Sequence, residues 1–160
     1  HRKGFDILLE AAAKLKDDVQ IHIVGGEPTQ EYLDMCNTLG LTNIFFDGFM
    51  KKDRLIQYYQ AADLFVLPTR EDIWGLVINE AMAYGLPIVT TNRCVAGLEL
   101  VEDGVNGYLV PINDQTALTE KIRAVLDADF RSMGAASLEK IRPYTLENMA
   151  KAHVEIFNRN

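Results

Sequence analysis

Asp72 and Glu80 stand eight positions apart in "REDIWGLVINEAMAYGLPIV", with Gly75 between them and an apolar segment beginning at Leu76. Paired carboxylates at this spacing can accept hydrogen bonds from several hydroxyls. A glycine at the start of a helix leaves the first backbone N–H groups, around Gly75 to Val77, open to an anion. Carboxylates for hydroxyls beside amides for phosphate suit a sugar nucleotide. The same pair has a structural reading, in which Asp72 caps the helix and Glu80 meets an internal donor. Spacing alone does not decide between the two.

Positioning such a pair requires a regular frame, and the chain supplies one. Phe5, Leu8, Leu9, Ala12 and Leu15 recur at three- and four-residue steps and predict a helix over 4–16. "VQIHIVGG" then reads as a short strand, buried on both faces and stopped by two glycines. The alternation continues with helices over 29–39, 52–62, 75–84 and 114–127, and strands over 43–47, 63–67, 87–91 and 106–111. Two more helices, over 129–141 and 145–158, are expected at the end of the chain.

Helices alternating with short apolar strands specify a doubly wound, Rossmann-like α/β fold, a parallel sheet with helices on both faces. In such sheets ligands collect at the carboxyl ends of the strands. The loops expected there contain Gly25, Gly26 and Glu27, then Gly48, Phe49 and Met50, then Pro68 to Gly75, then Asn92 and Arg93. The helix after Gly75 is apolar nearly all round and is expected to be a central, buried element. Tyr58, Tyr59 and Met82 are assigned to the core. His153 is assigned to the packed stripe of the last helix.

The composition narrows the function classes. With 160 residues, 48% of them hydrophobic, the chain suffices for one well-packed domain. A formal charge of −7 argues against a nucleic-acid partner, because that affinity comes largely from Lys and Arg. No apolar run approaches the roughly 18 residues of a membrane span, and no signal segment opens the chain, so a cytoplasmic location is expected. Cys36 and Cys94, and His1, His22 and His153, fit no ligand spacing. No metal site and no cofactor are expected. No Gly-x-Ser-x-Gly elbow is present, and "VGGEPT" lacks the spacing of a dinucleotide-binding turn.

"KGFDILLEAA", "VGG", "GFMKKDRLIQYYQAADLFVLPTREDIWGLVINEAMAYGLPIVTT" and "EDGVNGYLV" together resemble the C-terminal, donor-binding domain of retaining glycosyltransferases of the GT-B fold, the family 4 or group 1 glycosyl transferases. The resemblance covers about residues 3 to 127. It implies that residues 1–160 form a single nucleotide-sugar-binding domain, with a first strand and an N-terminal acceptor domain outside this sequence. The implied activity is that of a retaining hexosyltransferase using donors such as UDP-sugars or GDP-mannose. The setting is polysaccharide or glycolipid biosynthesis, possible at the inner face of the membrane, and this portion alone is expected to be inactive.

The resemblance also distributes roles. Asp72 falls on the first acid of the family's pair, where a glutamate is usual, and would bind donor-sugar hydroxyls with the backbone of Ile73, Trp74 and Gly75. Glu80 falls on the second acid and would accept from the ribose. Leu76 and Val77 would offer amides to the diphosphate, and Lys3, in the family's Lys-Gly pair, would neutralise it; read alone, Lys3 is an exposed lysine. The arginine that accompanies this lysine in the family lies upstream of it and is absent. Phe49 and Met50 would meet the nucleobase, or otherwise pack at the core edge. Trp74 replaces the commoner phenylalanine and would wall the sugar pocket. Catalytic groups, including the general base, and the acceptor glycan or glycolipid would belong to the other domain. The alternative is a non-catalytic nucleotide-binding or interaction module with a degenerate pocket.

Overall fold

The computed structural model describes residues 2–15 and 18–158. Helix α1 (Phe5–Leu15) is followed by β1 (Ile21–Val24), α2 (Gln30–Leu39), β2 (Ile44–Gly48), α3 (Lys52–Ala61) and β3 (Phe65–Leu67). Then come α4 (Leu76–Ala83), β4 (Ile88–Thr91), α5 (Val95–Leu100), β5 (Gly107–Val110), α6 (Gln115–Asp127), α7 (Phe130–Ile141) and α8 (Leu146–Phe157). The expected helices and strands are all present to within a few residues. Residue 16, the last of the first expected helix, lies outside the described residues.

All strand pairings are parallel, as the alternation requires. β1 pairs with β2, and β4 lies between β3 and β5, so among the described residues the sheet is in two pieces rather than one. No described strand pairs with both β1 and β3. The strands of each piece run the same way, so their carboxyl ends share an edge.

Strand β4 is buried at every position. Its alternating side chains feed two cores, as the two-residue period of a strand demands. Val89 joins Leu8, Leu9, Leu15, Leu118, Ile122 and Val125 from α1 and α6. Ile88 points the other way, into a core with Ile78, Ala81 and Met82 of α4 and Leu100 of α5. Buried Thr90 and Thr91 donate to the carbonyls of Leu67 (2.8 Å) and Thr69 (2.6 Å), fastening the loop after β3 to the central strand.

Three expectations need correction, and one element is additional. β1 is not buried on both faces: Ile23 is buried, but His22 is exposed, stacked on Phe45 and paired with Asp47 at 2.7 Å. Helix α4 is not buried all round; Leu76 is 68% exposed and Glu80 is exposed, because the core is met by Ile78, Ala81 and Met82, with Val77 partly buried beside them. Helix α5 was not expected, since six residues containing Gly97 and no polar cap give too little periodicity to read. Finally, every residue of α8 is exposed, and His153 with it: no other described element covers the stripe of Leu146, Met149, Val154 and Phe157. The His153 ring meets only its own helix among the hydrogen bonds described, at the Met149 carbonyl, 2.8 Å away.

The turn before α1 is seated on the end of β3. The Arg2 carbonyl accepts from the Arg70 amide (2.9 Å) and the Thr69 hydroxyl (3.1 Å). Arg70 returns a two-pronged ion pair to Asp6 at 2.8 and 2.6 Å, joining the loop to the first turn of α1. Gly4 makes the approach possible: it has φ +70°, and a Cβ there would lie 1.9 Å from the Pro68 carbonyl oxygen.

Gly4→Ala is therefore expected to cost about 1 to 3 kcal/mol in chemical denaturation, combining left-handed strain with a backbone clash; an unchanged midpoint would contradict this seating. The Arg70 hydrogen bond holds the Asp6 carboxyl below its ordinary range, against the opposing effect of burial. A depressed folded value means stability that is present at neutral pH and lost as pH falls through that value. Asp6→Asn should lower the melting temperature at pH 7, with the difference from wild type shrinking below about pH 4.

Candidate functional site

The site is built on the loop between β3 and α4. Its middle is pinned by strand-like pairing: the Asp72 amide donates to the Arg93 carbonyl (3.1 Å), and the Val95 amide to the Asp72 carbonyl (3.3 Å). The Ala96 amide donates to the Trp74 carbonyl at 2.8 Å. This pairing does not use the amides of Ile73, Trp74 or Gly75. The Trp74 indole is half-buried against the second core and donates to Asn79 Oδ1 at 2.9 Å, which fixes the ring over the first turn of α4.

Gly75 then turns the chain into α4 with φ +95°. A side chain there would meet Cys94 Sγ at 2.7 Å, so the tight turn and the buried cysteine require each other. No side chain caps the helix. The Asp72 carboxylate thus does not fill the capping role that its position allowed. The first N–H groups of a helix have no partner inside it, and they carry the positive end of its dipole. Those of Leu76 and Val77 begin a helix whose leading face is open, with Leu76 and Ile73 (88%) strongly exposed.

Lys3 reaches Asp72 directly. Its Nζ lies 2.5 Å from Asp72 Oδ2, with the aspartate side chain 14% and the lysine side chain 38% exposed. Residues 69 positions apart in sequence are thereby joined, a consequence of the Gly4 approach to β3. Lys3 is accordingly not a free terminal lysine. Its charge offsets that of Asp72, and an entering anion would compete for it.

Glu80 sits one turn into α4 and accepts from the Tyr59 hydroxyl at 2.9 Å. Tyr59, assigned from sequence to the core alone, is buried as a ring but presents its hydroxyl to this carboxylate. Burial first, then the Glu80 hydrogen bond, push the phenol well above its ordinary value, so it stays a donor throughout the neutral range. A signal was available: a tyrosine on a buried helix stripe needs a partner for its hydroxyl. Tyr58 is half-buried against the His22 ring, and Met82 is fully buried.

At the other piece of sheet, the loops after β1 and β2 are tied by the Gly25 amide donating to the Gly48 carbonyl at 2.9 Å. Phe49 stands 84% exposed, whereas Met50 is buried. Apolar contact to a ligand there would come from Phe49. Beside Asp72, a hollow of about 200 Å³ opens among Asp72, Ile73, Asn92, Arg93, Val95 and Leu98. Pockets for drug-sized ligands run to roughly 300–1,000 Å³, so this hollow is smaller than such a pocket.

The comparisons with known proteins agree with one another. The family described as glycosyl transferases group 1 matches residues 1–128. An uncharacterized glycosyltransferase of Methanocaldococcus jannaschii is 31% identical over 98% of the chain, which spans 42% of that relative. A D-inositol 3-phosphate glycosyltransferase of Mycolicibacterium smegmatis is 32% identical over 98% of the chain, which spans 37% of it. Among solved structures, Anabaena HepE in complex with UDP superposes with a TM-score of 0.90 at 25% identity, covering 99% of this chain and 46% of that one. Sucrose-phosphate synthase from Thermosynechococcus elongatus gives 0.85 at 26% identity, covering 99% and 43%. The chain thus spans less than half the length of each of these proteins. With parallel sheets flanked by helices and these matches along nearly its whole length, the chain belongs to the glycosyl transferases group 1 family and has the GT-B type of α/β fold.

Proposed function

We propose that the chain is the donor-binding part of a retaining glycosyltransferase that moves a sugar from a nucleoside diphosphate to a hydroxyl acceptor. The observation that carries this reading is the open, uncapped start of α4 with Lys3–Asp72 on one side and Glu80 on the same helix. The Leu76 and Val77 amides and Lys3 take the diphosphate, Asp72 with the Ile73 to Gly75 backbone takes the sugar, and Glu80 takes the ribose. Phe49, with the backbone of Met50, meets the base. Anabaena HepE, solved with UDP and with UDP-glucose, supports a nucleotide-sugar ligand.

In the reaction, the bond between the anomeric carbon and the diphosphate oxygen breaks as one to the acceptor oxygen forms, and the acceptor proton leaves to a base. The contribution of this chain is orientation of the donor and stabilisation of the negative charge that collects on the departing diphosphate. Lys3 and the helix amides carry that charge, and the proposal includes no metal or other cofactor. The acceptor, a glycan or glycolipid of a polysaccharide or glycolipid pathway, and the proton-handling groups are assigned to an N-terminal acceptor domain. The working location is the cytoplasm, at the inner face of the membrane. Among the described residues no helix is long and apolar enough to cross a bilayer.

One observation favours a second reading. The Asp72 carboxylate is already engaged by Lys3, and if that pair persists the chain is a nucleotide-binding module without turnover. Turnover of a nucleotide-sugar panel, read by product mass on the protein that carries this chain, separates the two.

Calorimetry with UDP, GDP and ADP should show binding of at least one below millimolar concentration; a folded sample that binds none sinks the donor-site reading. Glu80→Gln should weaken the nucleoside diphosphate about tenfold to a hundredfold, the loss expected for one hydrogen bond to a charged group. Asp72→Asn should instead alter discrimination among sugars and, by releasing Lys3 from its ion pair, bind the free nucleotide more tightly than wild type. If neither substitution changes affinity or selectivity, the two acids serve only the fold.

A further inference from the structure

Tyr59 does more than fill space. Its ring is held from two sides, stacked on Tyr84 with centroids 5.4 Å apart and planes within 5°, and tilted against Phe65 at 6.1 Å. Fixed in this way, the hydroxyl of an α3 residue arrives 2.9 Å from the carboxylate of a residue on α4, although Glu80 itself lies on the exposed side of that helix. A glutamate on an open face has several torsions to lose on ordering. Anchored at Oε2 by a rigid donor, it is ordered before a ligand arrives. The ionised carboxylate has about four acceptor directions, and one phenol uses a single one of them, leaving Oε1 and the rest for further hydroxyls.

Resting on the donor-site reading above, we propose that Tyr59 is a positioning residue, whose hydroxyl holds Glu80 in the orientation that accepts from the ribose hydroxyls of a bound nucleoside diphosphate. Tyr59 does not touch the ligand; it acts through Glu80. The consequence is a preference for ribose over its deoxygenated analogue that depends on an atom outside the ligand's reach. Removing the hydroxyl leaves the ring stack and the fold in place and frees the carboxylate to turn away.

The test is calorimetry on the full chain with whichever of UDP, GDP and ADP binds tightest, and with the 2′,3′-dideoxy form of the same nucleotide. Tyr59→Phe should weaken the ribonucleotide about threefold to tenfold, and leave the dideoxy form within about twofold of wild type. In a Glu80→Gln background the same change should add nothing further. Equal losses for both nucleotides mean a structural role, and no loss for either means no role; each overturns the proposal. If Glu80→Gln itself leaves the ribose preference intact, it is the ribose assignment of Glu80 that fails, a result distinct from failure of Tyr59 alone. Should Tyr59→Phe not fold, Tyr59→Leu removes the same hydroxyl at the buried position and leaves Glu80 unaltered. A weakened ribonucleotide with an unchanged dideoxy form supports the proposal, and equal losses for both or no loss for either overturn it.

Discussion

The site depends on one close approach: the backbone at Gly4 lies against the carbonyl of Pro68, where no side chain fits. This contact brings the start of the chain to the carboxyl end of β3. From it follow the seat of Arg2 between Thr69 and Arg70, the Arg70–Asp6 clamp and the reach of Lys3 to Asp72. Without it, the cation would stand in solvent and the acid would face the helix N-terminus alone. A like arrangement recurs at Gly75, where a left-handed residue against Cys94 points the start of α4 outward. Two glycines thus set the direction of the charged groups around the start of α4.

The architecture was legible in the sequence because each element carries its own period. β4 could be read as buried from four apolar or β-branched residues after a proline, and it proved to be the wall shared by both cores. α5 was not legible, because six residues interrupted by a glycine carry no readable period. Exposure was less legible than element type. An apolar run such as Leu76 to Ala83 does not reveal which of its faces a neighbour covers; the fold covers Ile78, Ala81 and Met82, and leaves Leu76 and Glu80 open. The same blindness placed His153 in a packed stripe, although the fold leaves that stripe uncovered.

For the site, spacing marked Asp72 and Glu80 but not their partners. Lys3 lies 69 residues from Asp72, and Tyr59 lies 21 from Glu80; such pairings exist only once the strands are aligned. The resemblance to a glycosyltransferase domain points to Lys3, whereas the pairing of Tyr59 with Glu80 exists only in the fold. The structure also changes the electrostatic picture. Two acids near a helix start suggest a negative site, yet one is already neutralised by an ion pair, and the other is hydrogen-bonded rather than buried. In the proposed reading such a site accepts an anion because a phosphate would take over the cation that Asp72 holds.

That exchange is the central claim, and a crystal structure of the chain with its nucleoside diphosphate tests it most directly. The account predicts phosphate oxygens at hydrogen-bonding distance from the Leu76 and Val77 amides, with Lys3 Nζ turned from Asp72 to the phosphate. A diphosphate bound elsewhere, or one bound at α4 with the Lys3–Asp72 pair intact, would contradict it.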